Sequence, residues 1–127
     1  MQNRTKRAAL DIILFCDELP RKNSFFILEK QLMRSASSVA SNYRAVSRAK
    51  STADFINKLT IVEEEADESL LWLEMIMELY HKPERVKPLH SEMEEILKIV
   101  VASIKTAKAK QNPKSAIDPK SAIPNPK

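Results

Sequence analysis

Over residues 4–18, Ala9, Ile12, Ile13, Cys16 and Leu19 fall on one side of a helix, and Pro20 with the polar run Arg21-Lys22-Asn23-Ser24 closes the segment. A second segment runs from residue 24 or 25 to residue 49. Its Leu28, Leu32, Ala36, Val39, Tyr43 and Val46 step by four and three, which makes a narrow inward stripe, and Ser24 is placed to cap its start. The third opens at Ser51, with Asp54 three residues on in the manner of a capping box. Its seam passes through Phe55, Leu59, Val62, Ala66, Leu70, Leu73, Met77 and Tyr80, and Pro83 ends it near residue 81. The fourth starts near Pro88 and carries Leu89, Met93, Ile96, Val100, Ile104 and Ala107. Lys105, Lys108 and Lys110 suit its C-terminal end. Four amphipathic helices with short connections predict an all-α, antiparallel up-down four-helix bundle over residues 1–110, packed at shallow angles.

Composition strengthens this reading. The chain of 127 residues has no glycine, so the favoured tight β-hairpin turns are hard to build. Residues 111–127 differ in character: they hold four of the seven prolines and repeat Pro-Lys-Ser-Ala-Ile at 113–117 and 119–123. Two isoleucines bury too little to order the rest, so a disordered Pro/Lys-rich tail is expected there. The single cysteine, Cys16, rules out an intramolecular disulfide and reads as an inert core thiol. The N-terminus is too punctuated by acids for a signal peptide, and no apolar run approaches a membrane span. A cytoplasmic, bacterial protein with no membrane partner is expected.

Charge changes the picture more than composition does. The net charge is only +4, but it is segregated: residues 21–50 carry seven basic and one acidic side chain, residues 51–81 one basic and eight acidic. The basic part ends in Arg-Ser-Ala-Ser-Ser-Val-Ala-Ser-Asn-Tyr-Arg-Ala-Val-Ser-Arg-Ala-Lys, residues 34–50, with five serines and no acid. Arg34, Ser41 and Arg48 are seven apart and lie near one helical line, with Ser37 and Arg44 on a neighbouring one. Guanidinium groups interleaved with short hydroxyls suit phosphate contacts. The nucleic-acid-binding candidates are therefore Arg34, Ser41, Asn42, Arg44, Arg48 and Lys50. Small residues equally serve close helix packing, and the arginines could pair with Glu63, Asp67, Glu74 or Glu78. Aromatic stacking platforms are lacking, so a duplex or folded backbone is the more natural target.

The third segment has an apolar surplus. Nine of the eleven residues from 70 to 80 are apolar, more than one inward face needs. Leu71, Trp72, Met75 and Leu79 are left over and mark an oligomer interface, unless the first helix covers them. Catalysis finds little support. Glu78 and His81 match one half of a di-iron Glu-x-x-His pair, but no second copy exists. No cofactor, metal site or catalytic residue is expected, and the chain does not read as an enzyme.

Residues 28–76 resemble the four helix bundle protein family, also known as the 23S rRNA-intervening-sequence proteins. This family includes the accessory variability determinant of diversity-generating retroelements. The markers are Gln31-Leu32-x-Arg34, Ser38-Val39-Ala40-Ser41-Asn42, Ala53-Asp54-Phe55, Glu64-Glu65-Ala66-Asp67-Glu68 and Trp72-Leu73-Glu74. Many members read Ser-Ile-Pro-Ser-Asn-Ile-Ala-Glu-Gly across the second helix. Here Ala40 stands at the proline position and Arg44-Ala45-Val46 replaces the Ala-Glu-Gly, so the usual kink is expected to be weaker. The resemblance implies a ring-shaped homopentamer with a basic surface that binds RNA or DNA. In the retroelement branch it implies a reverse transcriptase and its template RNA as partners. The expected function is that of a non-enzymatic nucleic-acid-binding accessory protein. The alternative is a structural protein–protein module in which basic and acidic helices pair between subunits.

Overall fold

The computed structural model describes residues 1–111, and these are all-α. The helices are α1 (Gln2–Cys16), α2 (Asn23–Val46), α3 (Thr52–Leu79) and α4 (Lys87–Gln111), with a short 3-10 turn at Pro83–Arg85 before α4. The tail expected at 111–127 lies outside the described residues, apart from Gln111, which closes α4.

Each helix packs on its chain neighbours, and α1 also meets α4, so the order around the bundle is α1, α2, α3, α4. Cross-helix pairs set the direction. Arg34 of α2 meets Glu65 and Glu68 of α3 across the connector at 47–51, and Glu74 of α3 meets His90 of α4 across the next. Both are antiparallel arrangements. Arg4 of α1 closes the ring on Glu92 of α4 with two bonds of 2.6 and 2.9 Å.

One core runs through the molecule. Leu32, Ala36, Val39, Leu59, Val62, Ala66, Leu73, Met93, Ile96 and Val100 are buried as their spacing predicts. Five expected seam residues, Ile13, Tyr43, Phe55, Met77 and Leu89, are only half-buried, while Phe15, Ile56 and Ile76 go inside. Two serines also go fully inside: Ser35 and Ser69 share a 2.7 Å bond where α2 crosses α3. With Ala36 and Ala66 beside them, they let the two backbones approach closely, and each hydroxyl also reaches a carbonyl of its own helix. At one end of the bundle, Tyr80 meets Phe15 and Phe25 edge-on, with ring centroids 5.9 and 6.2 Å apart.

The helix boundaries hold two corrections. Ser51 caps α3 as expected, accepting the Asp54 N–H at 3.0 Å. Ser24 does not cap α2: the helix begins at Asn23, and extended Lys22 precedes it without a side-chain cap. The helix also stops at Val46 rather than at 49. Ser47 turns its hydroxyl onto the Arg44 carbonyl, and the chain must become extended before Ser51 can cap the next helix.

Candidate nucleic-acid interface

The end of α2 decides where the basic residues stand. Arg48 and Lys50 lie in the connector, so the expected line through Arg34, Ser41 and Arg48 breaks after the last helical turn. The six candidates do not share one surface.

Arg34 faces α3. Its guanidinium bonds Glu68, lies 3.3 Å from Glu65 and touches Gln31 of its own helix. These acids stand on the α2 flank of α3, one turn from each other, whereas the candidates Glu63, Asp67, Glu74 and Glu78 follow a different stripe. Glu74, from that stripe, turns to His90 at 2.9 Å. The charge on Arg34 is thus balanced within its own chain. Asn42 is half-buried and donates its amide to the Ser38 carbonyl at 2.8 Å.

Arg44 and Ser41 face α1. Together with Ser37 and Ala40 they line a groove of about 520 Å³ whose other wall is Gln2, Asn3, Lys6, Ala9, Leu10 and Ile13. Small side chains form its floor, hydroxyls and amides stand along it, and Lys6 and Arg44 supply its charge. No acid lines it. Lys6, Arg44 and Arg48 make no ion pair among the described residues. The serines are less free than the cations, since Ser37 and Ser41 already donate to carbonyls of their own helix. A hydroxyl engaged in this way still offers lone pairs, but to an anion it must turn. The contribution of α1 was missed from the basic segment alone. Gln2, Lys6, Ala9 and Ile13 step by four, three and four, and that row was the available signal.

Lys50 belongs to neither place. It stands at the rim of a separate hollow formed by the connector, the start of α3 and the end of α4. Its backbone N–H donates to Asp54, whose carboxyl is held below the ordinary carboxylate range, first by Lys58 and then by this N–H.

The apolar surplus of α3 stays outside. Leu71, Met75 and Leu79 are exposed, Leu79 at 57%. Coverage by α1 is overturned: these three side chains are exposed, and α1 packs on α2 and α4, its Phe15 meeting Tyr80 only at the end of α3. Trp72 differs from its three companions. It leans into the core edge and is half-buried, with its indole N–H enclosed and no acceptor among the described residues. A second apolar group stands on other elements: Leu10 and Leu14 of α1, the latter 61% exposed, and Phe26 and Ile27 of α2. Cys16 is buried, and burial pushes its thiol up to about 12, the state of a core thiol. His81, the histidine of the Glu-x-x-His spacing, lies past the end of α3 against the Tyr80 ring. No described helix is long and apolar enough to cross a membrane.

Residues 1–102 match the family model described as 23S rRNA-intervening sequence protein, a span that holds every candidate above. The chain is similar to a crystal structure of a protein of unknown function from the S23 ribosomal protein family of Bacteroides thetaiotaomicron. It is 32% identical with a TM-score of 0.75, over 82% of this chain and 97% of that one. No curated protein matches the chain.

Proposed function

The chain belongs to the 23S rRNA-intervening sequence protein family, and on that footing we propose that it is a non-enzymatic accessory protein that binds the backbone of structured RNA or DNA. The observation that carries this reading is the α1–α2 groove, where Lys6 and Arg44 stand without a counter-charge among hydroxyls and amides. Arg48 extends the same sign into the adjoining connector. Phosphates are the matching ligand for guanidinium and ammonium groups so placed, and such contacts position a backbone without reading its sequence. Arg34 is left out of this surface, because Glu65 and Glu68 hold it.

The chain acts as a homo-oligomer. Two separate apolar groups support a head-to-tail contact, one on α3 and one on α1 with the start of α2. Two unlike patches in head-to-tail contact give a ring where the rotation between subunits closes, while a two-fold dimer needs only one self-complementary patch. We read that ring as a homopentamer, in line with what the family resemblance implies, and in the retroelement setting with a reverse transcriptase as partner. The rival reading, a purely structural module, rests on basic–acidic pairing between subunits. The pairing seen at Arg34 is within one subunit, which lowers its appeal.

The test is fluorescence anisotropy of a labelled structured RNA at about 50 and 200 mM salt, the range over which phosphate contacts reveal themselves. Binding should weaken steeply with salt. The variant K6A/R44A/R48A should bind more weakly on every sequence, with the slope flattened by about 0.9 per lost contact on duplex. Equal affinity in this variant would remove the groove from the reading.

A further inference from the structure

Helix α1 has 15 residues against 24, 28 and 25 for the others. At 1.5 Å per residue it is about 22 Å long where α2, α3 and α4 reach about 36 to 42 Å. It cannot cover the whole length of its neighbours. Where it is missing, a hollow of about 830 Å³ opens at the connector end of the bundle, and no residue of α1 lines it. Its floor is apolar, with Val46, Phe55, Ile99 and Ala102, and this is why Phe55, spaced as a core residue, is only half-buried.

The rim has one sign. Lys50 comes from the connector and Lys110 from the last turn of α4, the hydroxyl residues Ser51 and Ser103 also line the hollow, and among the described residues no acid does. Asp54, in the first turn of α3, is occupied by Lys58 and by the Lys50 N–H. The positive end of the α3 dipole adds to the same field. An apolar cleft of this size with a few convergent polar groups is the form of a small-molecule site. Here the convergent groups ask for an anion, and the floor asks for an aliphatic chain.

We infer that this hollow binds a single-chain fatty carboxylate, with the alkyl chain against Phe55, Ile99 and Ala102 and the carboxylate at Lys50 and Lys110. The site is separate from the α1–α2 groove and does not depend on nucleic-acid binding.

The experiment is isothermal titration of the full chain with dodecanoate, and with dodecyltrimethylammonium as the cation of equal tail, both below micelle formation. Dodecanoate should bind one per chain and at least about tenfold tighter than the cation, because the charged hydrogen bonds favour one sign. Decanoate, two methylenes shorter, should bind about fifteenfold more weakly. A102W fills the hollow from an exposed helix position and should abolish binding, while K50E/K110E should invert the preference toward the cation. Equal binding of both amphiphiles overturns the proposal, and so does dodecanoate binding that survives A102W. Binding to anionic or neutral phospholipid vesicles with none to dodecanoate also overturns it. If A102W lost its helical circular dichroism, the charge inversion alone would decide.

Discussion

On the α3 side of α2 stand Arg34 and Ser35; on the α1 side stand Ser37, Ser41 and Arg44. The residue types are the same and the outcomes differ. Toward α3, the arginine meets two carboxylates and the serine is buried against another serine. Toward α1, the serines stay at the surface and the arginine faces a lysine and two amides across a groove. A basic, serine-rich helix is therefore neither a binding face nor a packing face by composition. The neighbouring helix assigns the role. An acidic neighbour turns Arg–Ser into cross-helix cement, and a neighbour without acids on that flank leaves it available to an outside anion.

The largest way to break this contrast is to enlarge one serine on each flank. Ser35 is fully enclosed and touches Ser69, so S35L overpacks the α2–α3 crossing and leaves the Ser69 hydroxyl with only its helical carbonyl. Overpacking of this kind costs about 1–3 kcal/mol. S41L adds the same bulk to an exposed position and should stay within about 0.5 kcal/mol of the parent. Urea unfolding of both variants checks the pair, and equal losses would show that the two flanks do not differ in packing.

Next in size is the binding contrast. R44A/R48A should lower affinity for structured RNA by about tenfold at low salt, where each lost phosphate contact still counts. R34A should leave it within twofold, since that guanidinium is already engaged. Anisotropy at one low salt concentration is enough, and a loss in R34A matching that in R44A/R48A would return Arg34 to the binding surface.

Much of this was legible beforehand, and the limits have identifiable causes. The stripes of Leu32–Val39 and Met93–Ile104 predicted the core, because apolar periodicity is a property of one helix. The Ser51–Asp54 cap was readable because capping is local. The fate of Arg34 was not, because it depends on which flank of another helix carries the acids. Arg48 and Lys50 were misplaced for a related reason: without glycine to mark a stop, the propensities of residues 47–49 favour helix, and the cap of α3 overrides them. The hollow could have been anticipated from the segment lengths, since the first was expected to span 15 residues beside much longer ones.

Acid should separate the two flanks in another way. Arg4 holds the Glu92 carboxyl below its ordinary range, and Arg85 does the same to Glu18. Both bonds tether α1, one along its length and one just past its end. A carboxyl with a depressed folded-state pKa contributes stability that is present above its unfolded pKa and lost as pH falls through the folded one. The α1 tethers should therefore fail below the ordinary carboxylate range, while the Ser35–Ser69 contact does not titrate. Hydrogen exchange at about pH 3 should show α1 losing protection before the α2–α3 crossing. Uniform loss along the chain would mean that these tethers do not govern the docking of α1.

The smallest effect sharpens the comparison most, because it asks what the cement is worth. Arg34 is about half-exposed and its carboxylates are partly open to water. Exposed ion pairs contribute about 0.2–1 kcal/mol, and salt screens them. R34A should thus lower stability by that amount at about 50 mM salt and by less at 1 M, where the screening length is only about 3 Å. Glu65 and Glu68 would then stand unbalanced near the groove between α2 and α3, so R34E should cost more than R34A by adding a third like charge. If R34A and R34E were equally neutral, packing at Ser35, Ala36, Ala66 and Ser69 would carry the α2–α3 contact alone. The acidic flank of α3 would then act only to keep Arg34 away from outside anions, and not as cross-helix cement.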